Sequence, residues 1–247
     1  MVTRIRFQDA RTWRYIVASM EKVLDEGVFV ATNDGLSFRA LDPARVVMID
    51  LFYPADSMLN YELEKDEVEF GVSFNTLVKV LRRARKDDEL EFKISETFID
   101  VMFLGRGTRR FRIPQISLAV ERPPEPKIGF TVTAKMLATT FREAIRTIEP
   151  IADTIRLMAT EDKLIIRGIG DIESAELEFS MERQSLLDLL VESEDTSNYS
   201  LEYFSQMLQA AQAAETATVK YAGDAPVRVD FEFMGGGRLT FYVSPTI

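Results

Sequence analysis

A chain of 247 residues, 46% hydrophobic and 28% charged, has room for one large domain or two of about 120 residues, without disulfide or metal staples. Cys and His are both absent, which excludes disulfides, zinc–thiolate sites, cysteine nucleophiles, His-based triads and the usual neutral-pH proton shuttle. Thirty Lys and Arg against forty Asp and Glu give a net charge of −10, and taken alone that argues against a nucleic-acid partner, whose binding is driven by phosphate neutralisation.

In chain order, apolar residues at helical spacing predict a helix over Asp9–Leu24 after a short opening strand. Short β-branched or alternating runs predict strands at Val28–Thr32, Gly35–Arg39, Val46–Phe52 and Val68–Ser73, the first two joined by the turn Asn33-Asp34-Gly35. A second helix is predicted over Phe74–Lys86, then strands at Glu89–Ile94, Phe98–Leu104 and Arg109–Ile113. Glu121-Arg-Pro-Pro-Glu-Pro-Lys127 has three prolines and reads as an extended linker near the middle of the chain. Beyond it the rhythm repeats, with a strand, a helix over Ala134–Ile148, a hairpin about Glu161-Asp-Lys-Leu164, and a helix over Ser200–Ala214. The endings Ile113-Pro-Gln-Ile116 and Ser244-Pro-Thr-Ile247 look alike. These features predict an α+β chain of two similar domains, 1–117 and 130–247, with a connector over 118–129. The opening Met-Val-Thr-Arg-Ile-Arg-Phe has no apolar h-region and no stretch approaches eighteen apolar residues, so a soluble, unexported, cytoplasmic protein is expected.

Because the total charge is acidic, the placement of the bases is the informative quantity. Arg11, Arg14 and Lys22 share one stripe of the first predicted helix, opposite Trp13, Ile16, Val17, Met20 and Leu24. Lys79, Arg82, Arg83 and Lys86 form a stripe on the second, in a segment with five bases and no acid. Lys135, Arg142 and Arg146 line up on the third, whereas the fourth offers Gln206, Gln209 and Gln212 instead of bases. A basic stripe on one helix is commonly just its solvated face. Three such helices in an acidic chain point to one positive surface able to track a polyanion without reading its sequence.

Three stretches carry a resemblance to a known family. Gly35-Leu-Ser-Phe-Arg-Ala-Leu-Asp-Pro-Ala-Arg-Val-Val-Met-Ile-Asp-Leu51 resembles the first-domain pattern of PCNA, the DNA polymerase sliding clamp, in its archaeal form. Phe70-Gly-Val-Ser-Phe74 leading into Leu77-Val-Lys-Val-Leu81 is similar to the family's second helix and its entry strand. Gly235-Gly-Gly-Arg-Leu-Thr-Phe-Tyr-Val-Ser-Pro-Thr-Ile247 is similar to its closing strand and tail. The resemblance implies a non-enzymatic clamp of three subunits around duplex DNA, with helices lining the hole and antiparallel sheets outside. It implies DNA contacts at Arg14, Lys79, Arg82 and Arg146; helical phase adds Arg11, Lys22, Arg83, Lys86, Lys135 and Arg142. It also implies a groove for short client peptides at Leu41, Val46, Met48, Pro226, Tyr242 and Pro245, with Leu118, Val120 and Pro123 from the connector and Ser244, Thr246 and Ile247 from the tail. The implied partners are DNA polymerase, the clamp loader, flap endonuclease and DNA ligase, in a homotrimer or in a heterotrimer with paralogues; no metal or cofactor is implied.

The family pairs two edge strands between subunits, here about Thr108–Ile113 and Ser174–Met181. Alternation puts Arg110 and Arg112 on one face of the first, and Glu176 and Glu178 on one face of the second. Basic edge is then expected to meet acidic edge, with Phe111, Leu177 and Phe179 adding apolar contact. The remaining reading is a carboxylate enzyme holding Mg²⁺ at Asp87-Asp-Glu89 or Glu192-Ser-Glu-Asp195, but no phosphate-binding Gly loop accompanies either cluster.

Overall fold

The computed structural model describes residues 2–118 and 122–246. The chain divides into two compact units, one of Met1–Ala40, Ile49–Pro123 and Phe233–Leu239, the other of Leu41–Met48, Pro124–Glu232 and Thr240–Ile247.

The first run of elements is β1 (Thr3–Phe7), α1 (Ala10–Met20), β2 (Glu26–Thr32), β3 (Gly35–Leu41), β4 (Val47–Pro54), β5 (Asn60–Glu62), β6 (Glu67–Ser73), α2 (Phe74–Leu81), β7 (Glu89–Ile94), β8 (Phe98–Leu104) and β9 (Thr108–Pro114). The second is β10 (Val132–Leu137), α3 (Ala138–Ile148), β11 (Thr154–Thr160), β12 (Lys163–Ile169), β13 (Ser174–Ser180), β14 (Asp188–Val191), β15 (Thr196–Ser200), α4 (Leu201–Ala211), β16 (Thr216–Tyr221), β17 (Val227–Glu232) and β18 (Arg238–Val243). Both read strand, helix, five strands, helix, three strands. Strand neighbours repeat as well: β5-β1-β7-β8-β9 matches β14-β10-β16-β17-β18, and β4-β3-β2-β6 matches β13-β12-β11-β15. The repeat expected from sequence is therefore present in every strand and α-helix, the first run adding a single 3-10 turn at Ala55–Ser57.

Each unit closes around aromatic side chains on the helices' inner faces. Trp13 of α1 lies 4.4 Å from the Phe7 ring, and Phe29 stacks on Phe70 at 5.4 Å while meeting Phe74 of α2 edge-on at 6.2 Å. In the other unit Phe141 of α3 stacks on Phe204 of α4 at 6.4 Å and meets Phe231 edge-on at 5.4 Å. Burying one helix stripe against a sheet leaves the opposite stripe to solvent. Gly71 on β6 marks a close approach: a Cβ there would sit 2.1 Å from the carbonyl oxygen of Ile116, which accepts no side chain in that space.

Four helix boundaries differ from expectation, the last being the end of α4 at Ala211, three residues short of Ala214. α1 starts where the Asp9 carboxylate accepts the Arg11 N–H at 2.8 Å, and stops at Met20, whose carbonyl takes the N–H groups of both Val23 and Leu24. Lys22 thus lies in the turn after the helix. α2 stops at Leu81 because Asp88 draws the chain away, its carboxylate accepting Arg85 N–H at 2.5 Å and its carbonyl accepting Ala10 N–H at 2.9 Å. Arg82 is the C-cap residue, and Arg83 and Lys86 fall in the connection beyond it. The segment 132–137 is a strand, not the first turns of α3: Val132, Ala134 and Met136 are buried while Thr133 and Lys135 face the other way, a period of two. Lys135 accordingly leaves the helical stripe.

Candidate nucleic-acid and peptide interfaces

On α1, Arg11 and Arg14 are half-exposed on the side opposite Trp13, Ile16 and Val17. Arg11 approaches Asp9 at 3.6 Å, and the Arg14 guanidinium lies 5.3 Å over the Tyr15 ring. Lys79 in the last turn of α2, Arg82 and Lys86 are exposed, and none of them has a carboxylate partner among the described residues. Arg83 is exposed but lies over Phe111 of β9 at 5.3 Å. On α3, Arg142 is half-exposed and Arg146 exposed in the last turn, where a cation also complements the helix dipole. Lys22 is exposed in its turn. Lys135 instead pairs with Glu232 at 2.7 Å on the strand face turned from the core. α4 has no base; its exposed side carries Glu202, which accepts from Gln206 at 3.5 Å.

The expected peptide groove is built on the turn between β3 and β4. Asp42 shapes it: the carboxylate accepts Val46 N–H at 2.7 Å and Val47 N–H at 2.8 Å, while Arg45 takes a left-handed φ of 58°. Val46 in turn accepts the Ser244 N–H at 2.9 Å, and Thr246 N–H reaches the Asn198 carbonyl at 2.9 Å, so the tail is held by backbone. Leu41, Val46, Pro226, Ser244 and Pro245 are half-exposed and Thr246 is exposed. Met48 and Tyr242 are each only 4% exposed and belong to the floor rather than the lining. Leu118 and Pro123 are half-exposed residues of the other unit, and Val120 and Ile247 lie outside the described residues.

Sequence reasoning missed Arg228. Its guanidinium lies 5.6 Å over the Tyr242 ring, bonds both oxygens of Asp230 at 2.9 Å, and reaches Glu125 of the connector at 3.7 Å. The alternation Val227-Arg-Val-Asp230 places Arg228 and Asp230 on one strand face, a signal legible in the sequence once this segment is taken as a strand.

At the two expected edges the alternation holds, but the charges are partly committed within the chain. Arg110 and Arg112 are both exposed on β9, and both reach Asp100 on β8, at 3.2 and 2.8 Å. The hydrogen bond from Arg112 holds the Asp100 carboxyl below its ordinary value, against the opposing effect of burial. Glu176 and Glu178 are exposed on β13, where Glu178 pairs with Lys163 of β12 at 3.0 Å. Phe111 and Leu177 are half-exposed and Phe179 is buried. β9 and β13 each end a run of paired strands.

In the acidic clusters, Asp88, Glu89 and Asp195 have protein partners, and Asp87, Glu192 and Glu194 are exposed. Asp88 accepts from Arg109 and from the Arg85 backbone, Glu89 pairs with Arg6, and Asp195 accepts from the Thr131 hydroxyl.

Comparison with known proteins converges on one family. The models described as proliferating cell nuclear antigen, N-terminal domain and C-terminal domain, match residues 2–121 and 125–246. A DNA polymerase sliding clamp 3 from Aeropyrum pernix is 55% identical over 244 residues, covering 99% of this chain and 98% of its own. The crystal structure of PCNA from Thermococcus kodakaraensis matches with a TM-score of 0.93 at 29% identity, over 99% of this chain and 100% of that one. A chain of the PCNA2–PCNA3 complex from Sulfolobus tokodaii matches with a TM-score of 0.92 at 30% identity, over 98% of both.

Proposed function

The chain belongs to the proliferating cell nuclear antigen family, and from that premise we propose that it is a subunit of a DNA sliding clamp. Three subunits form a ring that encircles duplex DNA, confers processivity on a DNA polymerase and docks other replication and repair proteins. The mechanism is topological: the ring stays on because it is closed, so each protein–phosphate contact can be weak enough to allow sliding. The observation that carries this reading is a group of bases with no carboxylate partner among the described residues, Arg14, Lys79, Arg82, Arg142 and Arg146 among them, on the outward sides of α1 to α3 and the α2 C-cap of an otherwise acidic chain. Such bases neutralise phosphate without reading base edges. Arg11, Lys22, Arg83 and Lys86 supplement them from the same helices and their turns; Lys135 does not, being paired on a strand.

Client proteins dock through a short peptide on Leu41, Val46, Pro226 and Pro245, where one helical turn inserts an aliphatic and aromatic anchors and the tail around Ser244 and Thr246 offers backbone groups. Polymerase, clamp loader, flap endonuclease and DNA ligase are the client classes proposed. Subunits join β9 to β13 of the next copy, with Phe111 and Leu177 in the seam. Because Arg110, Arg112 and Glu178 already have partners in their own subunit, the charges there select partner and polarity more than they add affinity. The second reading, a ring completed by paralogues, is favoured by the likeness to a chain of a PCNA2–PCNA3 complex. Primer extension on a circular template, with loader and polymerase, tests the function: long products must require this chain. Failure to lengthen products, alone or with its paralogues, overturns the reading.

A further inference from the structure

Ile172, in the turn between β12 and β13, is 97% exposed, more than any other large hydrophobic side chain among the described residues. The internal repeat identifies what covers it. Seven residues after the hairpin partners Gly35 and Lys163 stand Asp42 and Gly170. Asp42 N–H closes its turn on the Val47 carbonyl at 2.8 Å, and Gly170 N–H closes its turn on the Glu173 carbonyl at 3.0 Å. Glu173 is thus the counterpart of Val47, and Ile172 the counterpart of Val46.

A second pair of bonds fixes the other partner. Ser73 and Ser200 are the residues immediately before α2 and α4. Two positions earlier, Gly71 accepts Ile116 N–H at 3.1 Å and Asn198 accepts Thr246 N–H at 2.9 Å. Ile116 therefore corresponds to Thr246, and Pro114 to Ser244. This register is one residue away from the match suggested by the two Pro-containing endings, because backbone bonding and not the prolines sets it.

Within the chain, Val46 and Ser244 are joined by the 2.9 Å bond from Ser244 N–H to the Val46 carbonyl. Their counterparts, Ile172 and Pro114, lie beside β13 and β9, the two strands that correspond to β4 and β18 and that end their sheets. Pro114 is exposed and has no N–H to give. We propose that Ile172 packs against Pro114 of the next clamp subunit, so that an apolar contact stands between subunits where a backbone hydrogen bond stands within one. The arrangement is head-to-tail, as a closed ring of identical or related chains requires. It rests on the clamp reading above and specifies which side chains meet and in what register.

The test uses the natural absence of cysteine. Native mass first establishes whether the full chain forms its ring alone or needs a paralogue; no ring under either condition defeats the clamp reading itself. In a self-assembled ring, Ile172→Cys with Pro114→Cys should give covalently linked subunits under mild oxidation, whereas Glu161→Cys with Pro114→Cys, at the far end of β12, should not. In a mixed ring, Ile172→Cys is combined with Cys at the paralogue's position matching Pro114, and Pro114→Cys with the reciprocal one; at least one pairing should link. As a second measurement, Ile172→Asp should raise the concentration at which the ring falls apart about tenfold or more, Ile172→Val should leave it nearly unchanged, and neither should alter the melting of the isolated subunit. A ring that forms normally yet gives no specific link, or tolerates Ile172→Asp, overturns the proposal.

Discussion

Trp13 illustrates how much one side chain can organise. Four aromatic rings surround it, those of Phe7, Tyr53, Phe92 and Phe29, at 4.4 to 6.3 Å. Trp13→Ala should cost about 3–5 kcal/mol, the range for emptying a buried aromatic site, and chemical unfolding followed by circular dichroism will measure it. Asp100 makes an electrostatic prediction. Its native carboxyl titrates below the ordinary value of 3.8, so its stabilising contribution is complete above that value and drains away as pH falls through the lowered native one. Asp100→Asn should therefore lower the melting temperature near neutrality by a few degrees, with the gap from the natural protein closing in acid. Residue types were legible here and their partners were not. Arg110 and Arg112 show their shared face in the sequence, but the acid they meet is on a neighbouring strand, and only register brings Asp100 opposite Arg112.

At the level of elements, the apolar periodicity located all four helices and overran their ends. In α2 the run Leu77, Leu81, Ala84 keeps helical spacing past Leu81, and what stops the helix is Asp88, seven residues on, recruiting the backbone of Arg85. In α3 the error was at the start, where a strand's alternation and a helix's spacing overlap across Lys135 and Leu137. The charge stripes nevertheless survive on α1 and α3. Replacing Lys79, Arg82 and Arg146 with Gln should weaken duplex binding about equally for every DNA sequence. The slope of log affinity against log salt should become shallower by roughly 0.9 for each phosphate that is no longer neutralised. Titration of the assembled ring against short duplexes at several salt concentrations reads both quantities. A slope that does not change would remove these bases from the DNA surface.

For the whole molecule, composition and the duplicated order of elements were the legible features. The nearly central proline-rich stretch separates the two runs of elements, and neighbour order repeats within the five-strand runs and within the four-strand runs. The short strands β5 and β14 were not visible, being too brief to show a period. A native mass near three times 28.1 kDa in sedimentation equilibrium is the expected result for self-assembly; a 28.1 kDa species that grows only on mixing with paralogues selects the mixed ring.

The titration behaviour of the chain bears on how its grip is controlled. No imidazole or thiol is available near neutrality, and burial pushes the Tyr53 and Tyr199 hydroxyls up to about 12. Ordinary carboxyls have finished ionising by about pH 6, and ordinary lysines hold their protons to about pH 9. Side chains of ordinary pKa exchange few protons between those limits. Proton concentration is a dead control for such a molecule, and ionic strength a live one. Duplex affinity should stay flat from about pH 6 to 9 at fixed salt, and a clear pH dependence there would have to originate outside the side chains of this chain.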